Sequence, residues 1–299
     1  MPPAVCPPRA VLLAALSALA LAACAPADDE TATRSEPTAS SGGSAAPSDE
    51  CAPDQLPLLE PGQLTIATDD PAYPPWFLRD DPTNGKGYES AVAYAVAQEL
   101  GFSEDQVEWV TVPFNASYQP GPKDFDFDIN QISITPQRAD AVTFSRGYYS
   151  AAQAVITLAD SPYADAASLG ELADATIGAQ VGTTSLAAVT DVIQPSRDPA
   201  VYDDTNAATK ALENGQVDVI VADLPSAFFI TAAVLDAGTI AGQFQPTTGE
   251  TEQFGLLLEK GNPLVGCLDT TLDALERDGT LARLENRWLS DTVDVPELT

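Results

Sequence analysis

The 299-residue chain contains no histidine. That single absence removes the Ser-His-Asp triad, the Cys-His pair and the commonest zinc ligand together. Cations are scarce as well: 13 Lys and Arg stand against 44 Asp and Glu, a formal net charge of −31. So few positive groups argue against a nucleic-acid partner, because there is little to displace phosphate counterions. The acidic excess suits a highly soluble surface and carries no information about fold. Long apolar runs are missing too. The one candidate, Ala10 to Ala23, spans about fourteen residues, short of the ~20 that cross a bilayer. No internal repeat or heptad is visible. What remains is a chain that is 44% hydrophobic, enough to build a sizeable core, and long enough for about two domains of ~100–200 residues.

The apolar run follows Arg9 and has the length of a signal-peptide core, so residues 1–23 read as a signal peptide. It ends Leu21-Ala22-Ala23-Cys24, small residues before a cysteine that resemble a bacterial lipoprotein cleavage box. The resemblance implies that Cys24 becomes the first mature residue and carries a lipid (palmitate) that holds the chain on the outer side of the cell membrane. The alternative is an ordinary signal peptide with an incidental cysteine. Residues 24–60 then form the tether: Ala25 to Ser48 are Ala, Pro, Ser, Thr, Gly and acids without apolar period, a composition that stays disordered. With Cys24 used, Cys51 and Cys267 remain as an even pair in an exported protein. They form either a disulfide tying the start of the fold to its last helical region or two buried free thiols.

From Leu64 the pattern changes. Strands are predicted over Leu64–Thr68, Val107–Val112, Phe125–Ile134, Thr176–Gln180, Val217–Ala222 and Phe254–Leu258. Helices are predicted over Ser90–Leu100, Thr184–Ile193, Ala207–Asn214 and Pro225–Leu235, with a pair over Leu264–Trp288 broken at Asp278-Gly279. Alternating strands and helices imply βαβ units, a mainly parallel sheet and an α/β fold. In such folds ligands sit beyond the carboxyl ends of strands.

Four segments follow strands in that way. Thr68 to Trp76 is a proline-stiffened loop with Asp70 and the aromatics Tyr73 and Trp76; it offers an anion and ring faces to a ligand, or is a turn with surface acids. Gln131 to Arg138 ends a strand in hydroxyls, and the planar fork of Arg138 suits either a ligand carboxylate or a surface ion pair. Val181-Gly182-Thr183-Thr184-Ser185 opens a helix, either as an anion site or as an ordinary cap. Asp223, at the mouth of an apolar strand before Pro225, either receives an ammonium group or caps the next helix. Together they supply one arginine, one helix start and one aspartate, the parts that hold a zwitterion.

These segments in this order, with Phe144-Ser145, Tyr148-Tyr149 and Gly87-Tyr88-Glu89, resemble the polar amino-acid family of bacterial ABC-transporter solute-binding proteins (family 3 type), over about Leu64 to Leu289. The resemblance implies a two-lobe periplasmic-binding-protein-like (type II) fold with two hinge crossings. Lobe 1 would comprise residues 61–148 and 244–299, the latter as a return segment with C-terminal helices, and lobe 2 residues 149–243. It implies that Arg138, Thr183 and Thr184 take a ligand carboxylate. Asp223, Ser133 and the carbonyl of Gln131 would take the amino group, and Asp70, Tyr73, Trp76 and Phe114 would line the side-chain pocket. Glutamine replaces the usual small residue at position 131, and the stretch Phe114 to Asp126 departs from the usual helix. The implied partners are a free amino acid and an ABC permease complex, with the chain a monomer, no metal or cofactor, and no catalysis. Other readings are a binder of another small carboxylate (an opine or a dicarboxylate), a dehydratase-like enzyme on the same fold, or a sensor module. Glu89 and Asp70 favour a polar or cationic side chain, although Glu89 also suits a helix start.

Overall fold

The computed structural model describes residues 51–245, 251–289 and 295–299. The expected leader 1–23, the expected lipidation site Cys24 and residues 25–50 of the expected tether lie outside the described residues.

In chain order the elements are β1 (Leu64–Thr68), α1 (Tyr88–Glu99), β2 (Val107–Thr111), α2 (Phe114–Ser117), β3 (Phe127–Asp128), α3 (Pro136–Ala141), β4 (Thr143–Ala151), β5 (Gln153–Leu158), β6 (Ile177–Gln180), α4 (Thr184–Ala188), β7 (Ala200–Tyr202), α5 (Thr205–Glu213), β8 (Val219–Asp223), α6 (Leu224–Phe229), β9 (Gly238–Phe244), β10 (Glu252–Leu258), α7 (Val265–Arg277) and α8 (Thr280–Trp288). They build two five-stranded sheets, β2-β1-β3-β10-β4 in lobe 1 and β7-β6-β8-β5-β9 in lobe 2. Each sheet is parallel on one side and antiparallel on the other. β1 runs parallel to β2 and β3, while β10 is antiparallel to β3 and β4. β6 runs parallel to β7 and β8, while β5 is antiparallel to β8 and β9. The expected α/β type II architecture is the one present.

All five residues of β1 are buried, which is why Leu-Thr-Ile-Ala-Thr lacks polar alternation: helices or loops cover a central strand on both faces. Tyr88, Val92, Ala93, Val96 and Ala97 of α1 form the stripe that seals one face. Lobe 2 divides its apolar side chains between two clusters, one on each face of its sheet; Val155 and Val221 serve one, Ile156 and Ile220 the other. The chain passes from β4 to β5 through Ala152 alone, and returns from β9 to β10.

Several expectations are corrected. The strand predicted over Phe125–Ile134 contracts to β3, because Asp126 turns its carboxylate back to accept from the amides of Thr65 (2.7 Å) and Leu59 (2.9 Å). Phe114 begins one short helix, α2. The helices predicted over Thr184–Ile193 and Pro225–Leu235 each end in a π-turn. The tether assigned to 24–60 ends early: Cys51 and Leu56 belong to the lobe 1 core, and Cys51 is disulfide-bonded to Cys267, 216 residues along the chain.

The return segment 244–299 does not stay in lobe 1. Residues 295–299 lie along the open edge of β9 in lobe 2. Gln243 N donates to Pro296 O and Leu298 N donates to Gln243 O, each at 2.8 Å. The Gln243 side-chain Nε2 also donates to Val295 O at 2.8 Å. Leu298 is buried over Gly242, where a Cβ would meet Leu298 Cγ at 2.5 Å, so only glycine admits the tail this closely. The tail covers an edge strand that would otherwise offer free amides and carbonyls.

Two outcomes are expected. Replacing Cys51 and Cys267 together by alanine lowers unfolding stability by about 2–5 kcal/mol in chemical denaturation, because the pair closes a long loop. Gly242→Ala displaces the tail, and hydrogen exchange then speeds at the Gln243 amide before the rest of β9.

Candidate functional site

The seam between the lobes opens into a cavity at the carboxyl ends of β1, β6 and β8. Its lining includes Asp69, Tyr73, Phe114, Asn130, Gln131 and Ser133 from lobe 1, with Thr183, Thr184, Asn206, Asp223 and Ser226 among those from lobe 2.

Asp223 ends β8 at the position of a helix cap, yet its side chain caps nothing. It accepts from Gln153 Nε2 at 2.8 Å instead. Its carboxyl is pushed up to about 8, by burial foremost and then by the neighbouring Glu252; Arg138 acts in the opposite sense. Arg138 and Asp223 therefore share one electrostatic neighbourhood.

Arg138 is buried in α3. Its Nη1 donates to Ser133 O at 2.8 Å and its Nη2 to Gly182 O at 3.0 Å, one carbonyl from each lobe. The guanidinium stands 4.8 Å from the Tyr118 ring centre and 5.4 Å from that of Phe114. It is not a surface ion pair. It lies just behind the cavity wall, along a neighbouring groove shared with Thr183 and Thr184. Burial lowers its proton affinity, and Tyr118, Glu252 and Asp223 counter that. Gly182 makes the approach possible: its φ is +75°, and a Cβ would lie 2.5 Å from Tyr118 Oη.

Two more contacts join the lobes beside it. Ser133 Oγ and Thr184 Oγ1 are 3.1 Å apart, and Trp76 Nε1 donates to Ser226 Oγ at 2.9 Å. The Thr183 hydroxyl is already engaged as a cap: it donates to Gln180 O and accepts from Leu186 N. Of the two threonines expected at a ligand carboxylate, Thr184 has the hydroxyl that faces lobe 1.

The structure thus brings Gln131, Ser133, Thr183, Thr184, Asp223, Tyr73 and Phe114 to one cavity, with Arg138 behind it. Two expected residues fall elsewhere. Asp70 is exposed and outside the lining; its neighbour Asp69 lines the cavity, because the chain turns sharply at the end of β1. Asp69 is half-buried, and burial raises its carboxyl even though the amides of Asp70 and Phe114 oppose the shift. Trp76 is fully enclosed in the lobe 1 core among Tyr88, Tyr149 and Phe254, and only its N–H reaches the seam. Sequence reasoning also missed Asn130 and Ser226; each follows a strand end, the one signal that would have found them.

Glutamine at 131 has its own explanation. Its φ is +48°, and its amide N donates to Glu89 Oε1 at 2.7 Å while its side-chain amide donates to Glu89 Oε2. Tyr148 Oη donates to the same carboxylate. Glu89 is fully buried and its carboxyl is pushed up to about 7, chiefly by burial. It holds the cavity wall from behind and lines nothing.

A two-lobed receptor that encloses a small solute is the class this fold and seam define. The chain belongs to the bacterial extracellular solute-binding proteins, family 3, whose model matches residues 64–291. It is similar to the arginine-binding periplasmic protein of Mannheimia haemolytica, 22% identical over 222 residues, covering 74% of this chain and 89% of that one. Among solved structures it is similar to an ancestral arginine-binding protein bound to arginine: 27% identity, TM-score 0.63, with 76% of this chain and 98% of that chain covered. It is also similar to an ancestral amino acid-binding protein described as a precursor of cyclohexadienyl dehydratase, at 27% identity and TM-score 0.63, with 76% and 95% covered. No helix among the described residues is long and apolar enough to cross a membrane.

The Glu89 shift has a sign that can be checked. A carboxyl raised from 4.5 to about 7 on folding favours the native state at low pH, and that contribution is lost as pH rises through 7. Glu89→Gln, neutral throughout, is expected to show a stability difference from wild type that shifts in the mutant's favour by up to about 3 kcal/mol between pH 4.5 and 8, followed by thermal unfolding.

Proposed function

We propose that the chain is a non-catalytic receptor that captures a free amino acid outside the cell membrane and delivers it to an ABC importer, held at the membrane by a lipid on Cys24. The observation that carries the reading is the pairing across one seam of Arg138 and the Ser133–Thr184 hydroxyls with Asp223. Opposite charges fixed near one cavity fit a zwitterion and penalise a ligand lacking either group, since a buried charge left alone is costly. The carboxylate is assigned to Thr184 with Arg138 behind it and the ammonium to Asp223; Ser133, expected at the amino group, is assigned instead beside Thr184, because the two hydroxyls are 3.1 Å apart. Ligand bonds to both lobes favour the arrangement in which the lobes meet.

The side chain is assigned a positive charge. Asp69 lines the cavity, Asp204 of lobe 2 lies in its electrostatic neighbourhood, and no cationic side chain among the described residues lines the cavity. Tyr73 and Phe114 add ring faces there. Two of the proteins the chain is similar to are arginine-binding proteins, a ligand of this class.

The test is a calorimetric and thermal-shift comparison of L-arginine, L-lysine, L-glutamine and succinate. L-Arginine or L-lysine is expected to bind most tightly and succinate not at all. Asp223→Asn should weaken every amino acid by about 2–5 kcal/mol. Asp69→Asn should weaken arginine about tenfold or more and leave glutamine nearly unchanged. Tight succinate binding, or an Asp223→Asn variant that binds amino acids as wild type does, would contradict the assignment.

A further inference from the structure

Behind Asp223 stands a second carboxylate that the ligand assignment does not use. Glu252 is the first residue of β10, where the chain re-enters lobe 1, and it is buried to 8% exposure. The single amide nitrogen of Gln153, first residue of β5 on the other crossing, donates to both acids: to Asp223 Oδ1 at 2.8 Å and to Glu252 Oε2 at 2.9 Å. The Gln153 carbonyl oxygen is held in turn by Ser185 Oγ at 2.6 Å. Both ends of the amide are engaged, so Gln153 ties the two acids to Ser185 in one hydrogen-bonded group. The two carboxylate oxygens are thereby kept within about 6 Å of one another, a distance at which like charges in a poorly solvated site compete for a proton. The other Glu252 oxygen, Oε1, is buried with no hydrogen-bond partner among the described residues.

We propose that Asp223 and Glu252 act as one carboxylate pair, set in place by Gln153, and that the pair gives up a proton to solvent when the ammonium group of the ligand arrives. This deepens the amino-acid reading and rests on it. Glu252 and Gln153 are positioning residues: they act on the ligand through Asp223. Among the described residues, the charged and titratable groups facing the pair are Arg138 from α3, Glu89 from α1 and Tyr149 from β4. The raised Asp223 carboxyl agrees with a proton held there near neutrality. An ammonium group favours the ionised pair, so the proton leaves on binding, and affinity falls as pH falls below about 8.

The experiment is isothermal titration of the purified chain with L-arginine at pH 6, 7 and 8, each in two buffers of different ionisation enthalpy. Wild type is expected to release a substantial fraction of a proton at pH 6 and 7, and its Kd to weaken by up to tenfold per unit of falling pH. Glu252→Gln is expected to release far less and to flatten the pH profile, which separates the pair from Glu89, left intact in that variant. Binding by wild type without proton release overturns the proposal, whether or not the variant folds. So does a folded Glu252→Gln variant with an unchanged proton count. If none of L-arginine, L-lysine and L-glutamine binds wild type at any pH, the amino-acid reading falls and the pair falls with it.

Discussion

A guanidinium buried in a seam sets the terms for this molecule. Arg138 cannot lose its charge at any ordinary pH, so its surroundings must satisfy it. They do so with one carbonyl from each lobe and two aromatic faces. Because the Gly182 carbonyl is in lobe 2 and the Ser133 carbonyl in lobe 1, satisfying that charge and bringing the lobes together are one event. The strand ends that carry cavity-lining groups are then aligned across a narrow cavity, and the acid at the end of β8 falls within reach of the same field.

The acids on the opposite side are organised by neutral amides. Gln153 separates Asp223 from Glu252, and Gln131 occupies Glu89. In a chain with 44 acidic residues and 13 basic ones, pairing each buried acid with a cation is not available. Amide and hydroxyl donors satisfy carboxylates without adding charge, and they leave Arg138 as the cation at the seam. Both hinge-side residues of the Gln153 bridge sit where the chain changes lobe, so Asp223 and the crossings are parts of one hydrogen-bonded unit. The C-terminal tail adds a further link, since α8 belongs to lobe 1 and residues 295–299 lie on β9 of lobe 2.

Much of this was legible in the residues. β6 and β8 are short apolar runs that end in polar loops, and the rule that ligands sit beyond such strands led to Thr184 and Asp223; Ser133 came from the end of the strand predicted over Phe125–Ile134. The sequence was less informative where geometry inside a loop decides. Asp69 and Asp70 are adjacent acids, and only the turn after β1 distinguishes the one that lines the cavity. Trp76 follows the same loop and looks like a pocket wall, but an indole of that size is needed to fill the core between Tyr88 and Phe254. The long pair β4 and β5 went unpredicted because Thr143 to Leu158 carries no turn signal at Ala152; the chain runs straight from one lobe into the other. The tail was unreadable for a plainer reason: five residues with one buried leucine carry no periodic pattern.

The central claim is that one small dipolar molecule is held by both lobes at once, its carboxylate toward Arg138 and its ammonium toward Asp223. A crystal structure of the chain grown with L-arginine tests it most directly. The account predicts the α-carboxylate within hydrogen-bond distance of Thr184 and the α-ammonium within hydrogen-bond distance of the Asp223 carboxylate, with the guanidinium of the ligand beside Asp69. A ligand bound to one lobe only, or reversed so that its carboxylate faces Asp223, would contradict it.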